Sequence, residues 1–355
     1  MNILIVPDSF KGSLSSKEVC KSIKDGIESA GNYNVECLPF ADGGEGFGEC
    51  LSNFCNGDIL YTRACDIYAR PIKAHIYTYG DTAIIESATA SGLQKKKDVM
   101  NATSYGTGEL IKFAVSKGFK NIILGLGGSG CCDGGAGALA ALGAVFRDID
   151  GDEIDYPTGK DLINIYGAGF TNMVKDIHFT YACDVENVYF GKNGAAYVFA
   201  PQKGAGKEDV KLLDDGLKMI NAFLPKDIRD IKGGGAAGGI CAGLYSVYGG
   251  EIKSGFDILA KACDLEKEIE KSDIVITGEG KTDNQTIMGK LPYKISEICK
   301  KHGKKCIILS GSIDNVKLGD KMYSLTDKNT SVDYAMKNAE KLLFEKAKLM
   351  VKEFN

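Results

Sequence analysis

Short apolar runs alternate with amphipathic segments at the start of the chain. Apolar runs at 2–6 and 35–40 predict two strands, and between them an apolar residue recurs at every fourth position, as on one face of a helix. Ser15 and Glu18 have the spacing of a capping box, which predicts that this helix begins just after Ser15. The opening segment is therefore expected to fold as strand, helix, strand.

The last third of the chain repeats this alternation. It predicts strands at 273–277 and 305–309 and helices at 290–301 and 331–355. Strands that alternate with helices are typical of a parallel sheet covered by helices on both faces. The two chain ends, residues 1–77 and 261–355, therefore predict one doubly wound α/β domain.

The middle of the chain differs in its pattern and predicts an inserted α/β domain at 78–260. Its start has the signal of a hairpin, with strands at 77–79 and 83–86 on either side of Gly80-Asp81. A short apolar run at 195–199 predicts another strand. The remaining elements expected here are strands at 121–126 and 178–182 and helices at 105–116, 136–142 and 210–223. A functional cleft is expected between the two domains.

Composition and charge exclude several classes of protein. The 355 residues are enough for about two domains, and 44% hydrophobic with 25% charged residues is the balance of a globular protein. Lysine and arginine number 43 against 47 aspartates and glutamates, so no global positive field recruits nucleic acid. No apolar stretch approaches roughly 18 residues, so no membrane partner is expected. The N-terminus has no secretory signal, which favours a cytoplasmic location.

The 12 cysteines and three histidines do not have the spacing of a metal site. No C-x-x-C pair occurs, and His75, His178 and His302 are isolated. We expect free thiols, as in a reducing compartment, where a cysteine mostly behaves as a small buried apolar residue.

Loops that contain a carboxylate follow five of the predicted strands, and four of these loops also contain glycine. Ligands bind beyond the carboxyl ends of the strands in an open α/β sheet, and glycine lets the backbone approach a ligand closely. The loops together predict a site for a metal ion and an anion. They lie at 7–13, 41–46, 127–135, 183–184 and 278–283.

Two of these loops suggest particular ligands. Lys11, with Ser9 and the following helix N-terminus, could bind phosphate, the alternative being an ordinary turn. Asp42 and Glu45 are carboxylates of the kind that hold Mg²⁺ together with phosphate oxygens. The segment Gly125-x-Gly127-x-x-Gly130 also matches a dinucleotide fingerprint. No acidic residue ends a next strand about 20 positions on in a βαβ unit, so an anion cradle is favoured.

Taken together, these motifs resemble the glycerate kinase family, in its bacterial type without a Walker A motif. The resemblance covers nearly the whole chain and rests on long motifs in order: PDSFKGSLSS, LPFADGGEGF, IIESATASGL, TSYGTGELI, GLGGSGCCDGGAGALAALG, ACDVEN, GAAYVFAPQKGA, GGGAAGG and ITGEGKTDNQTIMGKLP. Two departures are visible. Gly130-Cys131-Cys132 stands where the family more often has Ala-Thr-Asn, and Lys281 stands where arginine is usual.

The resemblance implies ATP-dependent phosphorylation of D-glycerate with Mg²⁺ in the cytoplasm. It favours 2-phosphoglycerate over 3-phosphoglycerate as the product, although the sequence leaves the phosphorylated hydroxyl open. It also implies a flavodoxin-like domain and a second, dissimilar α/β domain. The oligomeric state stays open, with a homodimer as one candidate.

Site roles are assigned from loop position and supported by the resemblance. Asp184 is the candidate base with Asp283 second, and an alternative for Arg70 is a surface ion pair. Two other functions stay open: a non-catalytic sugar-acid sensor and a dinucleotide-dependent hydroxy-acid oxidoreductase. The candidates are Asp184, Lys11, Asp42 and Asp283 for catalysis; Ser9, Arg70, Glu86 and Ser91 for the substrate; Gly127, Gly128, Ser129, Asp133, Gly134 and Lys281 for the nucleotide; and Asp42, Glu45 and Glu279 for the metal.

Overall fold

The computed structural model describes residues 1–41 and 43–354, so the candidate site residue Asp42 lies outside the described residues. The chain divides into two compact units. The first unit is Met1–Asp42 with Leu259–Asn355, and the second is Gly43–Ile258. Within the described residues, no helix is both long enough and apolar enough to cross a membrane.

Strands and helices alternate along most of the chain. The strands are β1 (Asn2–Pro7), β2 (Asn34–Cys37), β3 (Asp58–Cys65), β4 (Pro71–Tyr79), β5 (Thr82–Glu86), β6 (Asn121–Gly125), β7 (Val145–Arg147), β8 (Gly167–Gly169), β9 (His178–Ala182), β10 (Glu251–Lys253), β11 (Ile274–Gly278), β12 (Lys281–Thr282), β13 (Lys305–Ser310), β14 (Ser312–Ile313) and β15 (Lys321–Ser324). The α-helices are α1 (Ser16–Glu28), α2 (Phe47–Phe54), α3 (Ser87–Ser91), α4 (Tyr105–Ser116), α5 (Ala136–Ala141), α6 (Ala195–Phe199), α7 (Lys207–Asn221), α8 (Ile240–Tyr248), α9 (Gly255–Ala262), α10 (Leu265–Lys271), α11 (Leu291–Lys301), α12 (Val332–Lys337) and α13 (Ala339–Met350).

The first unit contains a five-stranded sheet in the order β15-β13-β11-β1-β2. All four pairings are parallel. Counted along this unit alone, the order is that of a flavodoxin-like sheet, 2-1-3-4-5, and the predicted flavodoxin-like α/β fold is confirmed. The chain reverses its direction of winding between β1 and β11. Ligands of such sheets bind in the crevice at this point, which we call the β1/β11 crevice.

Helix α1 begins where the sequence predicts. The Ser15 hydroxyl accepts a hydrogen bond from the Glu18 N–H, and the Glu18 carboxylate accepts one from the Ser15 N–H at 2.8 Å. Val19, Ile23 and Ile27 are buried and form the apolar face of the helix. The capping box thus occupies the N-terminus of α1 with the protein's own groups.

The second unit is built on a six-stranded mixed sheet in the order β10-β9-β6-β5-β4-β3. Strands β5, β6, β9 and β10 are parallel, whereas β3, β4 and β5 pair antiparallel. The predicted hairpin across Gly80 is confirmed, because Tyr79 pairs with Thr82. The expected boundary near residue 77 differs from this division, because β3 and β4 pair with β5 and so belong to the second unit.

Two predicted elements are wrong. Residues 195–199 form helix α6 and not a strand, because Ala195 and Ala196 pack fully buried in the core and a five-residue apolar run does not define a period. The long final helix is interrupted at Asn338, whose backbone leaves the helical region and whose side-chain amide donates to the Tyr334 carbonyl at 2.9 Å.

Candidate functional site

In the first unit, the loops that leave β1 and β11 lie side by side. The Asp8 N–H donates to the Gly278 carbonyl at 2.9 Å, which joins the two strand ends. Beyond it, Phe10 bonds to Leu14 and closes a tight turn that has the exposed Lys11 at its tip. A Cβ at Gly280 would lie 3.4 Å from the backbone nitrogen of Lys11, so these two loops are direct neighbours.

Glu279 is the buried carboxylate of the β1/β11 crevice. It accepts a 2.5 Å hydrogen bond from the Thr286 hydroxyl, and its other oxygen lies 3.6 Å from the Lys290 ammonium. Burial raises the pKa of Glu279, and the bonds from Thr286 and Lys290 oppose this increase. A carboxylate held in this way has a fixed orientation, and Mg²⁺ takes oxygen ligands of this kind.

The other predicted charges of this loop form an exposed network. The Lys281 ammonium lies 3.5 Å from Asp283 and 3.7 Å from Asp314. The Asp283 carboxylate also accepts from the Gln285 N–H at 2.9 Å, and this bond lowers the pKa of Asp283. Asp283 is therefore a weak proton acceptor, whereas Lys281 is a solvent-facing cation.

In the second unit, glycine-rich loops meet at the carboxyl ends of β6 and β9. The Gly127 N–H donates to the Gly43 carbonyl at 3.3 Å, and a Cβ at Gly127 would lie only 2.4 Å from the Gly44 Cα. Gly128 has a φ of +74°, a left-handed conformation that favours glycine. We call the loops 43–46 and 125–130, with Glu86 and Asp184, the glycine-loop cluster.

Asp184 follows β9 and is an exposed carboxylate of this cluster. One of its oxygens accepts from the Ser254 hydroxyl at 2.6 Å, and the other accepts from the Gly255 N–H at 3.1 Å. Both donors follow β10, the neighbouring strand of the sheet. The carboxylate is thereby oriented while it stays open to solvent, which suits a proton acceptor.

Glu86 ends β5 and lies near the exposed Glu45. Its carboxylate accepts from the Gly48 N–H at 2.6 Å, at the start of α2. Burial raises the pKa of Glu86 to about 7, the negative charge of Glu45 adds to this effect, and the hydrogen bond from Gly48 opposes it. The carboxyl group is thus poised to change its protonation near neutral pH.

Asp133 is fully buried, and the protein occupies its oxygens. It accepts from the Ser104 N–H at 2.6 Å and the Ser104 hydroxyl at 2.7 Å. The N–H groups of Gly135 and Gly137 also donate to it at 3.2 Å. The predicted nucleotide contact thus has a structural competitor at this residue, because Asp133 fixes the loop that contains Gly134.

The remaining predicted residues of this unit are also bonded within the protein. Arg70 donates to Asp66 at 2.8 Å, so the surface ion pair left open by the sequence is present. Burial raises the pKa of Asp66, but the bonds from Arg70 and Gln94 outweigh it and hold this pKa at about 2. Ser91 is fully buried and shares a 2.7 Å hydrogen bond with Thr107.

Two lysines that the sequence reasoning did not select adjoin these groups. Lys290 faces Glu279, and the buried Lys203 donates to the Ser129 hydroxyl at 2.9 Å. Lys203 belongs to a Pro-Gln-Lys-Gly turn after α6, and Lys290 immediately precedes helix α11. A lysine beside a glycine at a helix boundary was the available signal in both cases.

The described residues do not form a preassembled metal centre. No group of three or more histidine, cysteine, aspartate or glutamate side chains is positioned for a metal within residues 1–41 and 43–354. Mg²⁺ requires only one or two carboxylates when phosphate oxygens complete its shell, so this arrangement fits an ion that binds together with a nucleotide.

The dinucleotide fingerprint lacks its structural context. In that motif the glycines open directly into a helix, whereas here α5 begins at Ala136, after an irregular segment that follows Gly130. The loop at 125–130 packs instead against Gly43 and Gly44.

Comparisons with known proteins agree with one another. The family model described as "Glycerate kinase family" matches residues 3–355. A protein of Escherichia coli (strain K12) named "Glycerate 2-kinase" is 40% identical over 326 residues, which cover 88% of this chain and 86% of that protein. A "Glycerate kinase" of Bacillus cereus (strain ATCC 10987 / NRS 248) is 38% identical over 360 residues, which cover 96% and 94% of the two chains.

A solved structure extends this likeness to the fold. It is a crystal structure from Salmonella typhimurium LT2 with a provisional assignment as glycerate kinase 2, and it is 38% identical. The alignment covers 100% of this chain and 98% of that chain with a TM-score of 0.83. The chain is therefore an enzyme of the phosphotransferase class, and it belongs to the glycerate kinase family.

Proposed function

We propose that this enzyme transfers the γ-phosphoryl group of ATP to the 2-hydroxyl of D-glycerate, with Mg²⁺, and releases 2-phosphoglycerate. Family membership supports D-glycerate as the acceptor. The E. coli relative named glycerate 2-kinase and the Salmonella structure assigned as glycerate kinase 2 support the 2-position. A cytoplasmic location is part of the proposal and is supported by the 12 free cysteines.

The observation on which the proposal mainly rests is the set of charges at the β1/β11 crevice. Lys11 and Lys281 are exposed on neighbouring loops, and Lys290 faces the buried Glu279. Phosphoryl transfer depends on positioning and charge neutralisation more than on covalent chemistry by the protein. We propose that these lysines bind phosphate oxygens and that Glu279 contributes to holding Mg²⁺.

For the proton of the substrate hydroxyl, we propose Asp184 as the acceptor. Its two oxygens are oriented by Ser254 and Gly255, and the group is exposed. Asp283, the second candidate, has a lowered pKa and an ion pair with Lys281, which make it the weaker base. Asp184 would orient the hydroxyl and accept its proton as the bond to phosphorus forms.

Mg²⁺, when bound with the nucleotide, would neutralise charge on the phosphate oxygens. Asp42 and Glu45 remain the other proposed carboxylates for this ion. Ser9 and Arg70 remain candidates for the glycerate carboxylate, and the backbones of Gly127, Gly128 and Gly134 for the nucleotide. Arg70 would have to share its guanidinium with Asp66. Glu86 and Ser91 are proposed to support the substrate loop, because Ser91 is fully buried.

The test is an ADP-release assay with purified protein, ATP, Mg²⁺ and D-glycerate, followed by NMR of the product. We expect ADP only when all three components are present, and phosphorus attached at the 2-oxygen. Binding of D-glycerate without ADP release would favour the sugar-acid sensor, and reduction of a nicotinamide cofactor would favour the oxidoreductase. Phosphorus at the 3-oxygen would contradict the proposed position alone. Sedimentation of the same sample tests the candidate homodimer.

A further inference from the structure

We propose that Lys203 is a positioning residue that turns the Ser129 hydroxyl into a dedicated hydrogen-bond donor for an oxyanion of the substrate. The inference deepens the proposed function and rests on it in one respect: the oxyanion belongs to a kinase substrate. Its chemical class is a phosphate or carboxylate oxygen, supplied either by the nucleotide or by the hydroxy-acid.

Lys203 is a buried cation. Its side chain is 3% exposed, and its ammonium donates to the Ser129 hydroxyl at 2.9 Å and to the Cys131 carbonyl at 2.7 Å. Both acceptors are neutral, and in the described part of the chain the ammonium forms no ion pair. Burial of an ammonium without an opposite charge is costly, and an anion bound nearby would offset this cost.

The hydrogen-bond chemistry of Ser129 follows from this contact. An ammonium has three N–H donors and no acceptor, so the Ser129 oxygen must accept from Lys203. The hydroxyl proton of Ser129 is then directed away from Lys203 and must find an acceptor elsewhere. Among residues 1–41 and 43–354, the Ser129 hydroxyl donates no hydrogen bond to another group. Ser129 is thus left with one oriented donor, polarised by the neighbouring positive charge.

The backbone around Ser129 presents further donors. Gly128 has the left-handed conformation, and neither the Gly128 N–H nor the Ser129 N–H donates to a group that the described residues provide. The loop is itself fixed, because the Gly130 N–H donates to Ser91 and the Leu93 N–H donates to Gly128. Successive free N–H groups beside a left-handed glycine are a common anion-binding arrangement.

A run of three lysines ends beside the turn that contains Lys203. The next residue, Gly204, packs on the main chain of Lys97, and a Cβ at Gly204 would lie 2.9 Å from the Lys97 carbonyl oxygen. Lys97 ends the run Lys95-Lys96-Lys97, the only such run in the chain, and all three lysines are exposed. Asp98 follows this run directly, and on the adjoining turn the Asp66 carboxylate is paired with Arg70.

A purely structural role makes different predictions. If Lys203 only ties the 201–204 turn to the 129–131 loop, its removal lowers the free energy of unfolding and leaves substrate affinities unchanged in the folded protein. If it orients Ser129 toward an oxyanion, its removal raises the KM of the substrate that bears this oxyanion. A hydrogen bond to a charged group corresponds to a roughly 10- to 100-fold effect.

The experiment compares Lys203→Met, Lys203→Arg and Ser129→Ala with the matched control Lys207→Met, an exposed lysine at the start of α7. We expect Lys203→Met and Ser129→Ala to raise the KM of the same substrate at least ~10-fold, with the other KM changed less than about threefold. Lys203→Arg should recover part of the loss, and Lys207→Met should match the wild type. A raised KM for ATP assigns the oxyanion to a phosphate, and a raised KM for D-glycerate assigns it to the carboxylate.

Binding is also measured without turnover, by calorimetry with ADP and D-glycerate separately. Binding of either ligand that is weakened by both substitutions supports the inference even if the wild type releases no ADP, in which case the proposed kinase activity alone fails. Should Lys203→Met not fold, Ser129→Ala and Lys203→Arg decide the question. Unchanged KM values and affinities in folded Ser129→Ala would overturn the inference, as would equal effects of Lys203→Met on both substrates.

Discussion

The Glu86 carboxylate accepts a 2.6 Å hydrogen bond from the Gly48 N–H, and this bond joins the end of β5 to the first turn of α2. Burial nevertheless dominates the environment of the carboxyl group and raises its pKa to about 7 from an ordinary value of 4.5. The protonated form is therefore favoured in the folded protein over a range in which the unfolded chain is already ionised.

Glu86 should make the stability of the protein depend on pH. Because the folded-state pKa exceeds the unfolded value, its contribution is fully present below about pH 4.5 and is lost as the pH rises through about 7. As the pH rises from 5 to 8, we expect the free energy of unfolding of Glu86→Gln to increase by up to roughly 3 kcal/mol relative to that of the wild type. Urea unfolding at both pH values measures this difference, and parallel profiles of the two proteins would show that the shift is absent.

Asp184→Asn should lower kcat by at least ~10², the low end of the effect of a positioned acid–base group. The amide keeps one oxygen to accept from Ser254 but cannot take a proton. The free energy of unfolding should fall by no more than about 1 kcal/mol, because Asp184 is exposed and the amide loses only the acceptor for the Gly255 N–H. Glu186→Gln is the matched control, since this carboxylate lies two residues away, is 86% exposed and pairs only distantly with Lys232 at 3.7 Å. A kcat within threefold of the wild type would remove Asp184 from the reaction.

Glu279→Gln should raise the Mg²⁺ concentration for half-maximal activity at least ~10-fold, the scale of losing one interaction at a metal site. The glutamine can still accept from the Thr286 hydroxyl, so the fold should be kept. Glu297→Gln, an exposed change on α11, serves as the control. An unchanged Mg²⁺ titration in folded Glu279→Gln would contradict a metal role for this residue.

The cysteines of the glycine-rich segment should be unreactive in the native state. Cys131 and Cys132 are fully buried, and burial raises the pKa of Cys131 well above its usual value and that of Cys132 to about 12. The thiolate is the reactive form, so alkylation by iodoacetamide should be slow at pH 8. Mass spectrometry should find both residues unmodified before denaturation, and all 12 cysteines modified after it. Rapid native labelling of Cys131 or Cys132 with loss of activity would show that the loop opens.

Local signals in the sequence predict the parts of the fold that depend on neighbouring residues. The Ser15–Glu18 capping box and the hairpin across Gly80 follow from spacing and turn chemistry, and both are confirmed. The period of a five-residue apolar run is ambiguous, which is why 195–199 was predicted incorrectly as a strand. Asn338 interrupts the last helix through a side-chain bond to Tyr334, which a hydrophobic pattern does not contain.

The candidate site was less accessible to sequence reasoning, because its contacts join distant residues. The loop positions of Lys11, Glu279 and Asp184 follow from strand ends, and the structure keeps them there. Lys203 and Ser129 are separated by 74 positions, and Asp133 and Ser104 by 29. Neither contact has a sequence pattern, so the sequence alone indicates neither the burial of Lys203 nor the hydrogen bonds that hold Asp133 within the protein.

The position of β1 in its sheet has a consequence for synthesis of the protein. β1 has β2 on one side and β11 on the other, so Ile3 pairs with both Val35 and Ile274. During translation, the second partner emerges only after the whole segment 43–258 has been made. That contiguous segment can fold first. Until β11 is made, one hydrogen-bonding edge of β1 is unpaired and could pair with other chains. Ribosome-bound chains that end before residue 274 should therefore depend on chaperones more than full-length chains do.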